Sequence, residues 1–344
     1  MTSNKDQRIK VACYFRKPYP DSYSIEGIFN TILNFLPENI KTFKTTMPFY
    51  SKGILKRVYN IIWSIFQQQQ INHITGDTHY VSLLLVKRKT IVTIHDLEML
   101  FRYKGLTRWL IWLLWFYLPS KRIRYFTVIS EFTKEELLRL VPSISPSKVK
   151  VIHDCYVSEL KYDPVPFHTE CPVILQIGTK HNKNVPNLIK ALHGIHCKLV
   201  ILGTLDDSLN HILQASGINY ENYHNLSYPD VENLYRSCDF LVFVSTYEGF
   251  GLPILEAQSV GRPVVTSNAA SMPEVAGEAA VLVDPHDIQS IRNGIQKVIK
   301  DENLRKDLIQ KGLKNVKRFT PERIASEYAK LYLEIIPEEE YNAE

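Results

Sequence analysis

Short apolar runs alternate with longer stretches of helical periodicity along the whole chain. In the first half, Ile9 to Phe15, Thr90 to Ile94 and Phe126 to Ile129 read as strands. Between the first two, SIEGIFNTILNFL sets Ile25, Ile28, Phe29, Ile32, Leu33 and Leu36 on one helical face, and a second helix is expected over Gly53 to Gln68. In the second half, Val173 to Ile177, Lys198 to Leu202, Phe240 to Val244 and Pro263 to Thr266 read as strands with helical segments between them. Unbroken apolar runs suit parallel strands, because helices cover both faces of a parallel sheet. The alternation therefore predicts an α/β protein, and 344 residues suit two domains. The natural linker, Tyr156 to Pro172, carries Asp163, Pro164, Pro166 and Pro172. The expected domains are residues 1–165 and 166–320, followed by residues 321–344 with a helix over Pro321 to Ile336. Two doubly wound, Rossmann-like sheets of this kind are expected to face a cleft, with ligands beyond the carboxyl ends of the strands.

The densest chemistry follows one of these strands. Phe240 to Glu256 reads FLVFVSTYEGFGLPILE, in which Gly249 and Gly251 let the backbone approach a ligand closely. Pro253 suits the first turn of a helix, Gly261 its end, and Pro263 lies just beyond. A helix starting there aims free N–H groups and its positive end at the crevice, which suits phosphate oxygens. Carboxylates beside a phosphate would repel it. Glu248, before the turn, and Glu256, about one helical turn after Pro253, are therefore placed to hold sugar hydroxyls on either side of the phosphates. The spacing alone is equally compatible with an acidic helix cap and a surface glutamate.

EGFGLPILEA, with GRPVVTSNAASMPEVAGEAAVLVDP at Gly261 to Pro285, resembles the donor-site signature of family 4 glycosyltransferases, retaining enzymes of the GT-B fold. The resemblance implies a nucleotide-sugar donor, a glycan or lipid-linked acceptor hydroxyl, retained anomeric configuration, and neither metal nor other cofactor. It places Glu248 at the transferred sugar, Glu256 at the ribose hydroxyls, and the backbone of Phe250, Gly251 and Leu252 at the diphosphate. The candidate donor-binding set is Gly178, Lys183, Glu248, Gly249, Phe250, Gly251, Leu252 and Glu256. His95, in TIHD at a strand's carboxyl end, reads by itself as a structural hydrogen bonder; the resemblance puts it near the donor sugar in an orienting role. The candidate catalytic set is then His95, Glu248 and Lys183, with no metal ligand. Resembling proteins also carry the last helix back to the first domain, and read the nucleotide base through backbone near segments such as Asn225 to Tyr228.

Lys183 lies in IGTKHNKNVPNLIKAL, beside an expected helix start at Asn184 to Pro186. A lysine there can neutralise a diphosphate leaving group as its charge develops; a solvated lysine is the plain alternative. Similar segments carry an arginine directly before the lysine. Here Asn182 stands in that place, leaving Lys180 or an arginine elsewhere as the second cation. After the first strand, KPYPDSYSIEGIF has only Gly27 where related proteins are glycine-rich, and Tyr19 and Tyr23 are candidates either to stack on an acceptor or simply to pack.

Charge divides the chain. Residues 1–150 hold 23 Lys/Arg and 10 Asp/Glu, whereas residues 151–344 hold 18 and 26, so the net +5 conceals +13 and −8. A basic first half suits an anionic membrane surface or a phosphorylated acceptor; nucleic acid is disfavoured because no recognition motif accompanies the charge. RWLIWLLWFYLP, Arg108 to Pro119, spaces Trp109, Trp112 and Trp115 three apart, which fits either an interfacial membrane helix or a buried one. Five scattered cysteines argue for a reducing compartment and against zinc. The start lacks an apolar signal core, and no run approaches the roughly 20 apolar residues of a spanning helix, so the expected location is cytoplasmic, at the inner face of the membrane. Two other readings stay open: a nucleotide-sugar epimerase, which would turn over donor without acceptor, and a degenerate glycosyltransferase acting as a non-catalytic partner subunit. A phosphorylase would need a pyridoxal-binding lysine context that the chain does not show.

Overall fold

The computed structural model describes residues 8–18, 24–156 and 160–336. The chain divides into two compact units, one of Met1–Val157 with Pro321–Glu344, the other of Ser158–Thr320. The first is built on β1 (Ile9–Phe15), β2 (Ile40–Thr46), β3 (Ile71–Ile74), β4 (Thr90–Ile94), β5 (Tyr125–Val128) and β6 (Val149–Val151). They form one parallel sheet in the order β2-β1-β3-β4-β5-β6. The second unit uses β7 (Val173–Ile177), β8 (Lys198–Leu202), β9 (Asn219–Tyr223), β10 (Phe240–Phe243), β11 (Val264–Ser267) and β12 (Val281–Val283), again all parallel, in the order β12-β11-β10-β7-β8-β9. Strand order reverses between β7 and β10. Open α/β sheets bind ligands at such a reversal, beyond the carboxyl ends of the two strands.

The apolar runs are the buried centres of the sheets. Every residue of β10 is fully buried, as are Leu199 and Ile201 of β8 and Val264 and Val265 of β11. The five strands that the apolar pattern does not reveal are β2, β3, β6, β9 and β12. Four of them lie at sheet edges, where IKTFKTT and NYENY keep one side toward water and carry polar residues. The fifth, β3, is interior, but half of INHI is polar: Asn72 and His73 are buried with their polar atoms bonded.

In the first unit, helix Pro321–Ile335 packs against helix Ser24–Asn34. Its Tyr332 hydroxyl lies 2.7 Å from His73 Nδ1, His73 Nε2 lies 2.7 Å from Thr93 Oγ1, and Thr93 meets the Thr127 hydroxyl at 2.6 Å. Burial lowers the His73 pKa to about 3, so this polar staple holds a neutral imidazole.

The tryptophan-rich segment is one helical run of three parts: Gly105–Ile111, a π-helical stretch Trp112–Tyr117, and Leu118–Arg122. Pro119 has no N–H to return to Trp115, which suits a widened turn. The run is half core. Trp115 is buried and donates to Asp77 O at 2.6 Å, Trp112 donates to Leu140 O at 2.9 Å, and Trp109 is 51% exposed. Among the described residues no helix is long and apolar enough to cross a membrane.

Candidate functional site

The loop after β10 is shaped by its backbone. Gly251 has φ 116°, which side chains rarely adopt, and a Cβ there would stand 3.2 Å from Ile254 Cδ1. It begins helix Leu252–Ser259, with Pro253 in the first turn, where a missing N–H costs nothing. Ile254, Leu255 and Ala257 are fully buried and anchor this helix, leaving its N-terminus at the carboxyl end of β10. Ser271 fixes the loop, its hydroxyl donating to the carbonyls of Glu248 (2.9 Å) and Phe250 (2.6 Å). The Phe250 ring is buried edge-on against Phe319 at 5.6 Å, so the side chain is taken up by packing. Gly249 lies in the same loop.

The loop after β7 supplies the cation. Gly178 has φ 85°, and a Cβ on it would fall 2.8 Å from Lys183 Cε, so the glycine makes room for the lysine stem. Lys183 closes a short turn, His181–Lys183, and Asn184 then adopts the left-handed conformation (φ 59°) to start helix Val185–Leu192. Asn184 Nδ2 donates to Val244 O at 3.1 Å and Pro285 O at 2.7 Å, which ties this turn to the end of β10.

Glu248 and Lys183 meet at this junction. Lys183 Nζ donates to Glu248 Oε1 at 2.6 Å and sits 4.6 Å from the Phe243 ring centroid; the two charged side chains are 17% and 16% exposed. Asn182 donates from Nδ2 to Tyr247 O at 2.9 Å and to Glu248 Oε1 at 3.2 Å, and its own carbonyl accepts the Thr246 N–H at 2.8 Å. The residue standing where an arginine was expected thus orients the carboxylate and adds no charge. Glu256, one helical turn into Leu252–Ser259, accepts at Oε2 from the Tyr235 hydroxyl at 2.6 Å. Burial raises the Glu256 pKa against the opposing pull of that hydrogen bond, and burial beside Glu256 holds the Tyr235 phenol well above its ordinary value. Asn225, in the segment considered for the base, has φ 53°.

Of the candidates, Gly178, Lys183, Glu248, Gly249, Phe250, Gly251, Leu252 and Glu256 all belong to the β7 and β10 loops and the helix after β10. Asn182, Asn184, Tyr235 and Ser271 join them by hydrogen bonds to residues distant in sequence. Tyr19 and Tyr23 lie outside the described residues. His95 is in the first unit, directly after β4, and is 8% exposed. Its Nε2 faces Thr75 O at 2.9 Å and its Nδ1 lies 3.7 Å from Asp154 Oδ2. Burial alone would lower its pKa, but Asp154, the Thr75 carbonyl and Asp96 outweigh it and leave it raised. Among the described residues no group of three or more His, Cys, Asp or Glu is placed to hold a metal ion.

A cavity of about 360 Å³ lies elsewhere in the second unit, lined by Asp239, Arg262, Glu302, Arg305 and Lys306 among others. Its charges are already engaged. Arg262 and Arg305 donate to main-chain carbonyls, Asp239 accepts from His168 and Val173, and Glu302 pairs with Lys306.

The family model described as glycosyl transferases group 1 matches residues 161–315. The O-antigen chain mannosyltransferase B of Escherichia coli is 29% identical over 256 residues, 63% of this chain and 66% of that protein. The E. coli serotype-specific mannosyltransferase WbdA is 39% identical over 95 residues, 28% of this chain and 12% of that protein. The crystal structure of Anabaena HepE in complex with UDP-glucose superposes with a TM-score of 0.77 at 14% identity, covering 95% of this chain and 100% of that one. A glycosyltransferase from Rickettsia africae gives 0.70 at 16% identity, covering 96% and 99%. The family match and the relatives support a glycosyltransferase, and the solved structures give the fold as GT-B, with two Rossmann-like α/β domains each built on a six-stranded parallel sheet.

Proposed function

We propose that the chain transfers a hexosyl residue from a nucleoside diphosphate sugar to a hydroxyl of a growing glycan, with retention of anomeric configuration and without a metal ion. The observation that carries this reading is the Lys183–Glu248 pair at the carboxyl ends of β7 and β10, beside the N-terminus of helix Leu252–Ser259. A diphosphate on that N-terminus gains its N–H groups and the Lys183 ammonium. Its oxygens compete with Glu248 Oε1 for Lys183. Donor binding therefore exchanges one ion pair for another, and Glu248, still held by Asn182, becomes an acceptor for sugar hydroxyls. Glu256 accepts from the ribose hydroxyls.

Transfer begins as the bond between the anomeric carbon and the diphosphate oxygen breaks. The departing diphosphate takes the electron pair, and Lys183 and the helix N-terminus neutralise the developing charge, the service a metal ion performs in other enzymes. The acceptor hydroxyl attacks the oxocarbenium-like sugar from the same face, and its proton passes to a leaving phosphate oxygen. The names of the similar E. coli proteins favour mannose as the sugar and a polysaccharide chain as the acceptor.

Thermal denaturation with UDP, GDP and ADP and their sugars, in EDTA, tests the reading. A ligand at 100 times its Kd stabilises the native state by about 2.7 kcal/mol. One mannosyl donor is expected to raise Tm, and Lys183→Met to abolish the rise. A folded protein stabilised by none of these compounds would overturn the proposal.

A further inference from the structure

Helix Ile54–Ile65 in the first unit is inside out. Its polar residues Asn60 and Ser64 are fully buried. Asn60 Nδ2 donates to Phe49 O at 2.9 Å and to the Tyr80 hydroxyl at 3.1 Å, and its Oδ1 accepts the Phe49 N–H at 3.2 Å. Ser64 O accepts from the Tyr14 hydroxyl at 3.1 Å. The opposite face is apolar and turned to solvent: Ile54 is 76% exposed, Leu55 84%, Val58 45%, Tyr59 51%, Ile62 47%, and Phe66, just past the helix, 78%. At 3.6 residues per turn these six fall within an arc of about 140°. Single exposed apolar residues are ordinary, whereas a continuous row along one helix marks a surface with a partner.

Charge identifies the partner. Residues 39–95 hold eight Lys/Arg and a single acidic residue, Asp77. Lys52 and Lys56 flank the row and are exposed. We propose that this face docks on an anionic lipid bilayer, with the helix lying in the interface, its apolar row toward the acyl chains and its lysines on the headgroups. A second copy of the chain fits less well, because a two-fold contact along this row would bring Lys52 and Lys56 toward their own copies. The surface involves none of the donor-binding residues, so it stands apart from the proposed reaction.

The test is sedimentation of the full chain with vesicles of phosphatidylcholine alone or mixed with phosphatidylglycerol, alongside light scattering without lipid. Binding is expected only with the anionic vesicles and to weaken as salt rises. Lys52→Glu and Lys56→Glu should each weaken it by about fivefold or more. The double variant Leu55→Glu/Ile62→Glu should lose it while keeping the wild-type Tm, since both side chains are solvent-facing, and should keep wild-type donor turnover in solution. Equal sedimentation of that variant, no sedimentation of the wild type, or a dimer in solution that the variant dissociates would each overturn the proposal. Failure of donor turnover in every protein with lipid binding as expected would instead overturn the proposed reaction alone.

Discussion

Replacing Lys183 by Met removes a charge while leaving nearly the same shape. The lysine stem runs over Gly178, which leaves space for it, and methionine can occupy that path. What disappears is the ammonium 2.6 Å from Glu248 Oε1. Glu248 keeps the Asn182 amide at 3.2 Å, so its carboxylate is not abandoned. With side chains 17% and 16% exposed, the pair lies between two measured classes. Exposed pairs contribute about 0.2–1 kcal/mol, and breaking a fully buried pair costs about 3–5 kcal/mol. A loss of about 1–2 kcal/mol follows, or a fall in Tm of about 2–8 °C for a domain of this size. Catalysis should suffer more, because the diphosphate charge grows in the transition state; losing one preorganised donor there lowers kcat by about 10²–10³. Nucleoside diphosphate release at saturating donor measures kcat, and a thermal melt measures stability. A kcat within tenfold of wild type in a folded Lys183→Met protein would refute the role given to the ammonium.

Three further substitutions probe the surroundings. Ser271→Ala strips a donor from the carbonyls of Glu248 and Phe250; a melt should show a loss of about 1–3 kcal/mol, and kinetics a higher donor KM and lower kcat as the loop relaxes. Glu256 has a raised pKa, so its stabilising contribution is complete below the unfolded value and is lost as pH rises through the folded one. Glu256→Gln should therefore melt above wild type at neutral pH, with the advantage gone near about pH 4, while its nucleotide affinity falls. His95 is also raised, by Asp154 chiefly, so the pairing contributes fully below about pH 6.5 and fades as pH rises through the folded pKa. The Tm deficit of Asp154→Asn should be largest in acid and shrink above neutrality, and a pH-independent deficit would count against an imidazolium at His95.

The sequence reveals the fold wherever burial is two-sided. β1, β4, β7 and β8 match their apolar runs residue for residue, because helices cover both faces and apolar residues dominate; the polar positions inside them, such as Lys10, Thr93 and Gln176, are too few to hide the run. The strand predicted at Phe126 begins one residue earlier, and the one at Pro263 one residue later. Edge strands escape because one side meets water. The helix expected over Gly53 to Gln68 forms as Ile54–Ile65, but periodicity yields two faces and not which of them turns inward; the buried hydrogen bonds of Asn60 decide that, and they reach Phe49 and Tyr80. The glycine loop after β10 is legible because its shape is set locally. Gly251 and Pro253 act on their own backbone, within the local sequence. Asn182, Asn184, Ser271 and Tyr235 are small or polar residues whose partners lie far along the chain, as Asn184 and Pro285 do, so only the folded chain shows what they hold.

The central claim is that a nucleotide sugar is broken at the β7–β10 junction and its sugar moved with retention. The direct measurement is incubation with a mannosyl donor and an oligosaccharide acceptor in EDTA, following nucleoside diphosphate release and the anomeric configuration of the product by NMR. The account predicts release matched by transfer with the donor's own anomeric configuration, lost in both Glu248→Ala and Lys183→Met. Inverted product, or turnover that survives both substitutions, would contradict it.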